Sequence, residues 1–315
     1  MRRAVSIVCI GGANVDRKAR LLAPFQLGTS HPVATTQTAG GVARNVAENL
    51  GRLGHTVSLV SAVGDDHDGQ WLIDATGPYV DVRHIVRTAK ANTGTYTAVL
   101  DERGEMVVAL ADMAVYDTVG DEWMKQRWSE LSPVSAVVLD TNFPSDAIRW
   151  TIEQCHRERL PLCVVTVSVP KVKRLPPCLH GVTWLVTNEA ESIALAGTGG
   201  DSVTEAMEAL IRSGVENVVV TRGANGVAYA TEQGERGTLA APNVTVTDAT
   251  GAGDAFAAGF LYGVLGGFSV EDACRFGMSN AALTLQTAET VNRALNERTL
   301  HATYEQYFHQ GGTKQ

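Results

Sequence analysis

The sequence predicts an α/β fold, a mostly parallel sheet flanked by helices, and three observations carry that reading. Short apolar runs at 134–139, 162–167, 183–186 and 217–221 alternate with helical stretches at 145–157, 189–196 and 202–213. Strand and helix alternating with short loops is the rhythm of a parallel sheet covered on both faces. The chain also opens on a continuous apolar run, 4–10, as a strand buried on both sides does. Glycine turns and polar groups then follow several of these runs, at the strand ends where open α/β sheets bind ligands.

Taken in order, the elements after the first strand begin with 14–39, which lacks helical periodicity and carries Thr, Ser, Pro and Gly. Val42, Val46, Leu50 and Leu53 mark an amphipathic helix that stops at Gly54. Residues 57–63 read as a buried strand, followed by an Asp-rich turn and a helix near 70–75. The runs 93–100 and 105–110 flank Asp101-Glu102-Arg103-Gly104, a hairpin signal. Segments 14–39 and 93–110 break the α/β rhythm and are Thr-rich, so they are expected to pair as a small separate sheet, a lid beside the site, with two ordinary surface hairpins as the alternative. Helices at 252–265, 269–288 and about 296–308 close the chain before a polar tail at 310–315. With no internal repeat, the expectation is one domain over 1–315, its lid built from about 14–39 and 93–110.

Bulk properties bound the function. At 315 residues with 44% hydrophobic and 19% charged residues, the chain buries a sizeable core. A net charge of −8 argues against nucleic acid or an anionic membrane as a partner. No apolar stretch reaches the length of a membrane span. The five cysteines form no CxxC pair, which suits a reducing, cytoplasmic compartment. The eight histidines show no zinc-type spacing.

The most informative segment is Thr250-Gly251-Ala252-Gly253-Asp254-Ala255, followed at once by a helical pattern. A glycine turn opening a helix presents unpaired N–H groups and the positive end of the helix dipole, a place for an anion. Asp254 repels what such a hole attracts. It makes sense there as the base that takes a proton from a hydroxyl while Gly251, Ala252 and Gly253 hold a transferring phosphoryl group. Other candidates fall at predicted strand ends. Asn14 and Asp16 suit the vicinal hydroxyls of a sugar. Gly40 and Gly41 allow close backbone approach at a helix start that also carries Arg44 and Asn45. Asn188 and Glu191 share a face, and Glu191 could organise hydrated Mg²⁺; the same pair also fits a plain capping box. Thr221 could bond a phosphate oxygen, with Gly223 and Gly226 after it. There is no GxxxxGK[ST] loop and no GxGxxG after the first strand, which excludes a P-loop enzyme and argues against a nicotinamide oxidoreductase.

Gly40-Gly41 with Asn45, Asn188-Glu189-Ala190-Glu191 and residues 248–254 resemble, in that order, the signatures of the ribokinase or PfkB family of sugar and nucleoside kinases. The similarity runs from about residue 4 to 308; Ala249 stands where the signature more often has Thr. The resemblance implies a Rossmann-like ribokinase fold with a β-sheet lid, ATP and Mg²⁺, and transfer of the γ-phosphoryl group to a primary hydroxyl. It implies Asp254 as base, residues 251–254 as anion hole, Asp16 as sugar ligand and Asn280 in the adenine pocket. It further implies a monovalent cation such as K⁺ near Asp248 and Thr250; a homodimer through the lids is expected as well.

Within the family, residues 40–45, 61–64 and 111–113 look most similar to pseudouridine kinases. The expected acceptor is therefore the 5′-hydroxyl of pseudouridine, with other nucleosides (adenosine, inosine, cytidine) or ribose as alternatives. A non-catalytic sugar- or nucleoside-binding regulator is the rival from another class. Gln37, Thr95, Thr97 and Asp112 are candidate base contacts from the lid, Asp112 fitting a plain loop cap equally well, and Arg44 could meet a base carbonyl or phosphate.

Overall fold

The computed structural model describes residues 5–131, 133–200 and 202–309; the start of the first predicted strand and the polar tail at 310–315 lie outside them. In chain order the elements are β1 (Ser6–Ile10), β2 (Asn14–Leu21), β3 (Val33–Gly40), α1 (Val42–Arg52), β4 (Thr56–Gly64), α2 (His67–Thr76), β5 (Ile85–Thr88), β6 (Thr95–Leu100) and β7 (Met106–Asp112). A short 3-10 turn, Ala114–Thr118, leads to α3 (Asp121–Ser129), β8 (Ala136–Asp140), α4 (Ser145–Glu158), β9 (Leu162–Val165), α5 (Val169–Val172), β10 (Trp184–Asn188), α6 (Glu189–Ala196), α7 (Val203–Arg212) and β11 (Asn217–Thr221). Last come β12 (Val227–Thr231), β13 (Arg236–Leu239), α8 (Ala252–Leu265), α9 (Val270–Leu285) and α10 (Glu297–Tyr304).

The described strands form two sheets. The large one runs β13-β12-β11-β10-β9-β8-β1-β4-β5, and the small one β3-β2-β6-β7. From β5 to β11 all neighbours are parallel; β12 and β13 add antiparallel edge strands. That antiparallel edge and the short helices α3 and α5 were not anticipated from the sequence. Strand β1 is buried on both faces, as its unbroken apolar run requires. Ile7 and Cys9 join one core with α1, α8 and α9; Val8 and Ile10 join the other with α4 and α7. Cys9, Cys155, Cys163 and Cys274 are buried free thiols within these layers. Among the described residues, no helix is long and apolar enough to cross a membrane.

In the large sheet β1 lies between β4 and β8, so the strand order runs outward from it in opposite directions. Such a reversal opens a crevice at the carboxyl ends of the strands. The small sheet grows out of this point: β2 starts four residues after β1 ends, and β3 returns directly into α1.

Candidate active site

Asp140, the last residue of β8, organises the crevice. Its fully buried carboxylate accepts from Gly12 N (2.8 Å), Ala43 N (3.0 Å), Asn142 N (2.8 Å) and Asn142 Nδ2 (2.8 Å). Burial raises its pKa, and those same donors oppose the rise. It thereby ties the loop after β1 to the first turn of α1. Gly41 caps that turn at φ 98°, where a Cβ would stand 2.4 Å from Gly12 O; only glycine fits. Asp140 was missed by sequence reasoning, although an Asp closing a predicted strand in this fold class is the signal that could have found it.

Asn14, Asp16, Gly40, Asn45 and Asp254 come together above it. Asn14 Nδ2 donates to Asp16 Oδ1 at 2.6 Å. A Cβ on Gly40 would lie 2.3 Å from Asp16 Oδ2, so the missing side chain makes room for that carboxylate. Burial pushes the Asp16 pKa up to about 6, against the opposing effects of Asn14, Lys18 and Arg44. From α1, Asn45 Nδ2 donates to Asp254 Oδ2 at 2.7 Å. Asp254 sits in the first turn of α8, whose N-cap Gly251 has φ 81° and provides no side-chain cap. A Cβ on Gly251 would strike Thr290 O, whereas Gly253 faces open space. Helix geometry leaves the N–H groups of Gly253 and Asp254 without intrahelical acceptors, so an uncapped donor cluster stands beside a carboxylate. Burial pushes Asp254 up to about 7; Asn45 and Arg44 pull it down, and the charges of Asp140 and Asp16 add to the rise. A base poised near neutrality beside an anion hole is suited to taking a hydroxyl proton during phosphoryl transfer.

Four expectations need correction. Arg44, expected at a base carbonyl or phosphate, is engaged within the protein: its buried guanidinium donates to Thr76 Oγ1, Ala39 O, Asn45 Oδ1 and Glu48 Oε2. Asn280 is fully enclosed between helices, donating to Asn49 Oδ1 and Ala255 O, and so lines no open adenine pocket. Asp112 pairs with Thr95, which pairs with Val15. Side chains alternate along a strand, so Asp112 lies on the lid face opposite Asp16. With Arg17, Asp66, Asp68, Thr93 and Thr95 it lines a separate cavity of about 350 Å³. Gln37 and Thr97 share that outer face, whereas Thr38 and Tyr96 stand opposite Asp16 on its own face. Finally, Lys18 of β2 donates to Asp248 Oδ2 and, at 3.1 Å, to Thr250 Oγ1. The two side chains expected at a monovalent cation are thus already met by an ammonium group. Sequence reasoning overlooked Lys18, which is two residues from Asp16 and so on the same strand face.

At the ends of β10 and β11, Asn188 caps α6 by accepting from Glu191 N at 2.9 Å. Glu191 does not complete a capping box in return; its buried Oε2 accepts the hydroxyl of Thr166, at the end of β9, and Thr166 also bonds Thr187 Oγ1 at 2.9 Å. Thr221 Oγ1 donates to Thr187 O at 3.2 Å. Gly223 is exposed with open space around it, but Gly226 is buried under Leu239 O and serves the β11–β12 turn. Among the described residues no cluster of three or more His, Cys, Asp or Glu could cage a metal. One carboxylate among hydroxyls fits Mg²⁺ held through water beside phosphates, the usual habit of that ion. Lys171 and Arg174 both donate to Asn142, bringing two cations to the same edge.

Residues 4–297 match the model of the pfkB family carbohydrate kinases. The chain is 32% identical to a pseudouridine kinase of Escherichia coli K12 over 94% of this chain and 95% of that one. A solved carbohydrate kinase from Agrobacterium tumefaciens superposes with a TM-score of 0.85 at 30% identity, covering 96% and 98% of the two chains. Arabidopsis thaliana ribokinase complexed with ribose and ATP shares the fold, with a TM-score of 0.81 at 19% identity over 96% and 99%.

Proposed function

The chain belongs to the pfkB family of carbohydrate kinases, phosphotransferases acting on a hydroxyl group, and from that premise we propose that it transfers the γ-phosphoryl group of ATP to the 5′-hydroxyl of pseudouridine. One observation carries the reading. Asp254, held by Asn45 at 2.7 Å and with its pKa pushed up to about 7, stands in the uncapped first turn of α8.

In this reading Asp16, with Asn14 beside it, accepts from the vicinal ribose hydroxyls and holds the 5′-oxygen near Asp254. Asp254 takes the hydroxyl proton as the O–P bond forms and ADP leaves. The N–H groups of Gly253 and Asp254 meet the negative charge on the transferring group, which fixed donors stabilise without reorganising. Glu191 would hold Mg²⁺ through water; when bound, the ion neutralises phosphate charge. Asn188, Thr221 and Gly223 border the nucleotide. The base lies under the inner lid face of Thr38 and Tyr96. The similarity to the Escherichia coli pseudouridine kinase supports this acceptor over other nucleosides and ribose. The four buried free thiols suit the cytoplasm, and exposed apolar side chains on the outer lid face suit a homodimer through the lids.

The test is incubation with ATP and pseudouridine, followed by phosphorus NMR of the products. ADP should form only with the acceptor present, and the new monophosphate signal should split on the two 5′-methylene protons. ADP release with unmodified pseudouridine would overturn the assignment.

A further inference from the structure

The buried Arg44 has no place in the ligand contacts proposed above, yet it is one side chain away from the base. Its Nη1 donates to Asn45 Oδ1 at 2.8 Å, and Asn45 Nδ2 donates to Asp254 Oδ2 at 2.7 Å. A guanidinium only donates and an ionised carboxylate only accepts. The amide between them therefore has one satisfactory orientation, oxygen toward Arg44 and nitrogen toward Asp254. Arg44 is itself fixed from three elements: Glu48 of α1, Thr76 Oγ1 of α2 and Ala39 O at the root of lid strand β3. Arg52 holds the other oxygen of Glu48 at 2.7 Å and closes the network from behind. We propose that Arg44 is a positioning residue for phosphoryl transfer, locking the Asn45 amide so that its N–H₂ holds Asp254 toward the acceptor hydroxyl.

The inference rests on the kinase reading for its purpose but not for its geometry. The charged groups around Asp254 are Asp16 on β2, Asp140 on β8 and Arg44 on α1; those around Arg44 include Glu48, Arg52 and Glu289. Asp16 and Asp140 raise the proton affinity of Asp254, while Asn45 and Arg44 lower it. Loosening the amide removes one of the two opposing groups.

The test uses Arg44→Lys, which keeps a buried cation opposite Glu48 but loses the planar fork that reaches Ala39 and Asn45 together. Arg44→Met, which leaves Glu48 paired with Arg52, is the second variant should the first fold poorly. The titration of Asp254 is followed by carbon NMR of labelled Asp carboxyls, assigned by difference with Asp254→Asn. kcat and KM are measured with ATP and pseudouridine. The Asp254 titration and the acid limb of kcat/KM should move up by about 0.5–1 pH unit, with kcat down about tenfold and the KM for ATP within about twofold. In an Asn45→Ala background the same change should add less than about twofold, because groups acting in series do not add. An unmoved Asp254 titration, or a full Arg44 penalty in the Asn45→Ala background, would overturn the relay. The carboxyl titration needs no acceptor, so the relay can fail with the kinase reading intact. An inactive protein whose Asp254 still shifts would sink the kinase reading alone.

Discussion

At the scale of single residues, Asp254 is set apart by its surroundings more than by its position. A carboxylate in the first turn of a helix is favoured by the dipole in any protein. Here burial and the nearby Asp16 and Asp140 outweigh that help and push the pKa up to about 7. A base must be ionised to act, so kcat/KM should fall as pH drops through about 7, tenfold per unit well below it. Stability runs the other way. The folded pKa lies above the ordinary 3.8, so the folded state binds the proton more tightly and loses stability as pH rises between the two values. Asp254→Asn should therefore melt higher than the parent at pH 8 while kcat falls roughly 10²–10⁴-fold with ATP affinity little changed. Activity within about threefold of the parent would reject Asp254 as base.

At the scale of elements, what was legible in the sequence was contiguous. The glycine turn before α8, the apolar runs of β1, β4 and β8 to β11, and the cap at Asn188 are each written within a few residues. The parts that escaped depend on distant partners. Lys18 meets Asp248, 230 residues away, and Asp140 accepts from Gly12, 128 residues away. Arg44 looked like a ligand contact because it stands beside Asn45, but α2 and Glu48 claim its donors. The edge strands β12 and β13 escaped although they are as long as β8 to β11: β13, Arg236–Leu239, is half exposed and has no apolar run to mark it, and β12 pairs antiparallel, outside the strand–helix rhythm. Helix α6 gives a direct test of what its first turn does. Glu191→Gln keeps the shape and Asn188's cap, since the cap accepts from the backbone of residue 191. The Mg²⁺ concentration for half-maximal rate should rise severalfold, on the order of threefold or more, with the nucleoside KM moving less. An unchanged Mg²⁺ titration would leave Glu191 as a structural partner of Thr166.

At the scale of the whole molecule, the crevice exists because the strand order reverses at β1, and the second sheet rises from that same point. The lid's two faces differ in character. Its inner face carries Asn14, Asp16, Lys18, Thr38 and Tyr96; its outer face exposes Val33, Val108 and Leu110. Strand β7 is an unpaired edge, a template for a second chain. Leu110→Lys should convert a dimer to a monomer in light scattering; a parent that is already monomeric would remove the lid interface from the account. Pseudouridine differs from uridine by a free ring N–H, and a site that offers an acceptor to that donor leaves it unpaired when uridine binds. The most direct measurement is kcat/KM with ATP across pseudouridine, uridine, adenosine, ribose and fructose. The account predicts pseudouridine over uridine by about tenfold or more, with free ribose poorer still. Adenosine, ribose or fructose as the best acceptor would contradict it.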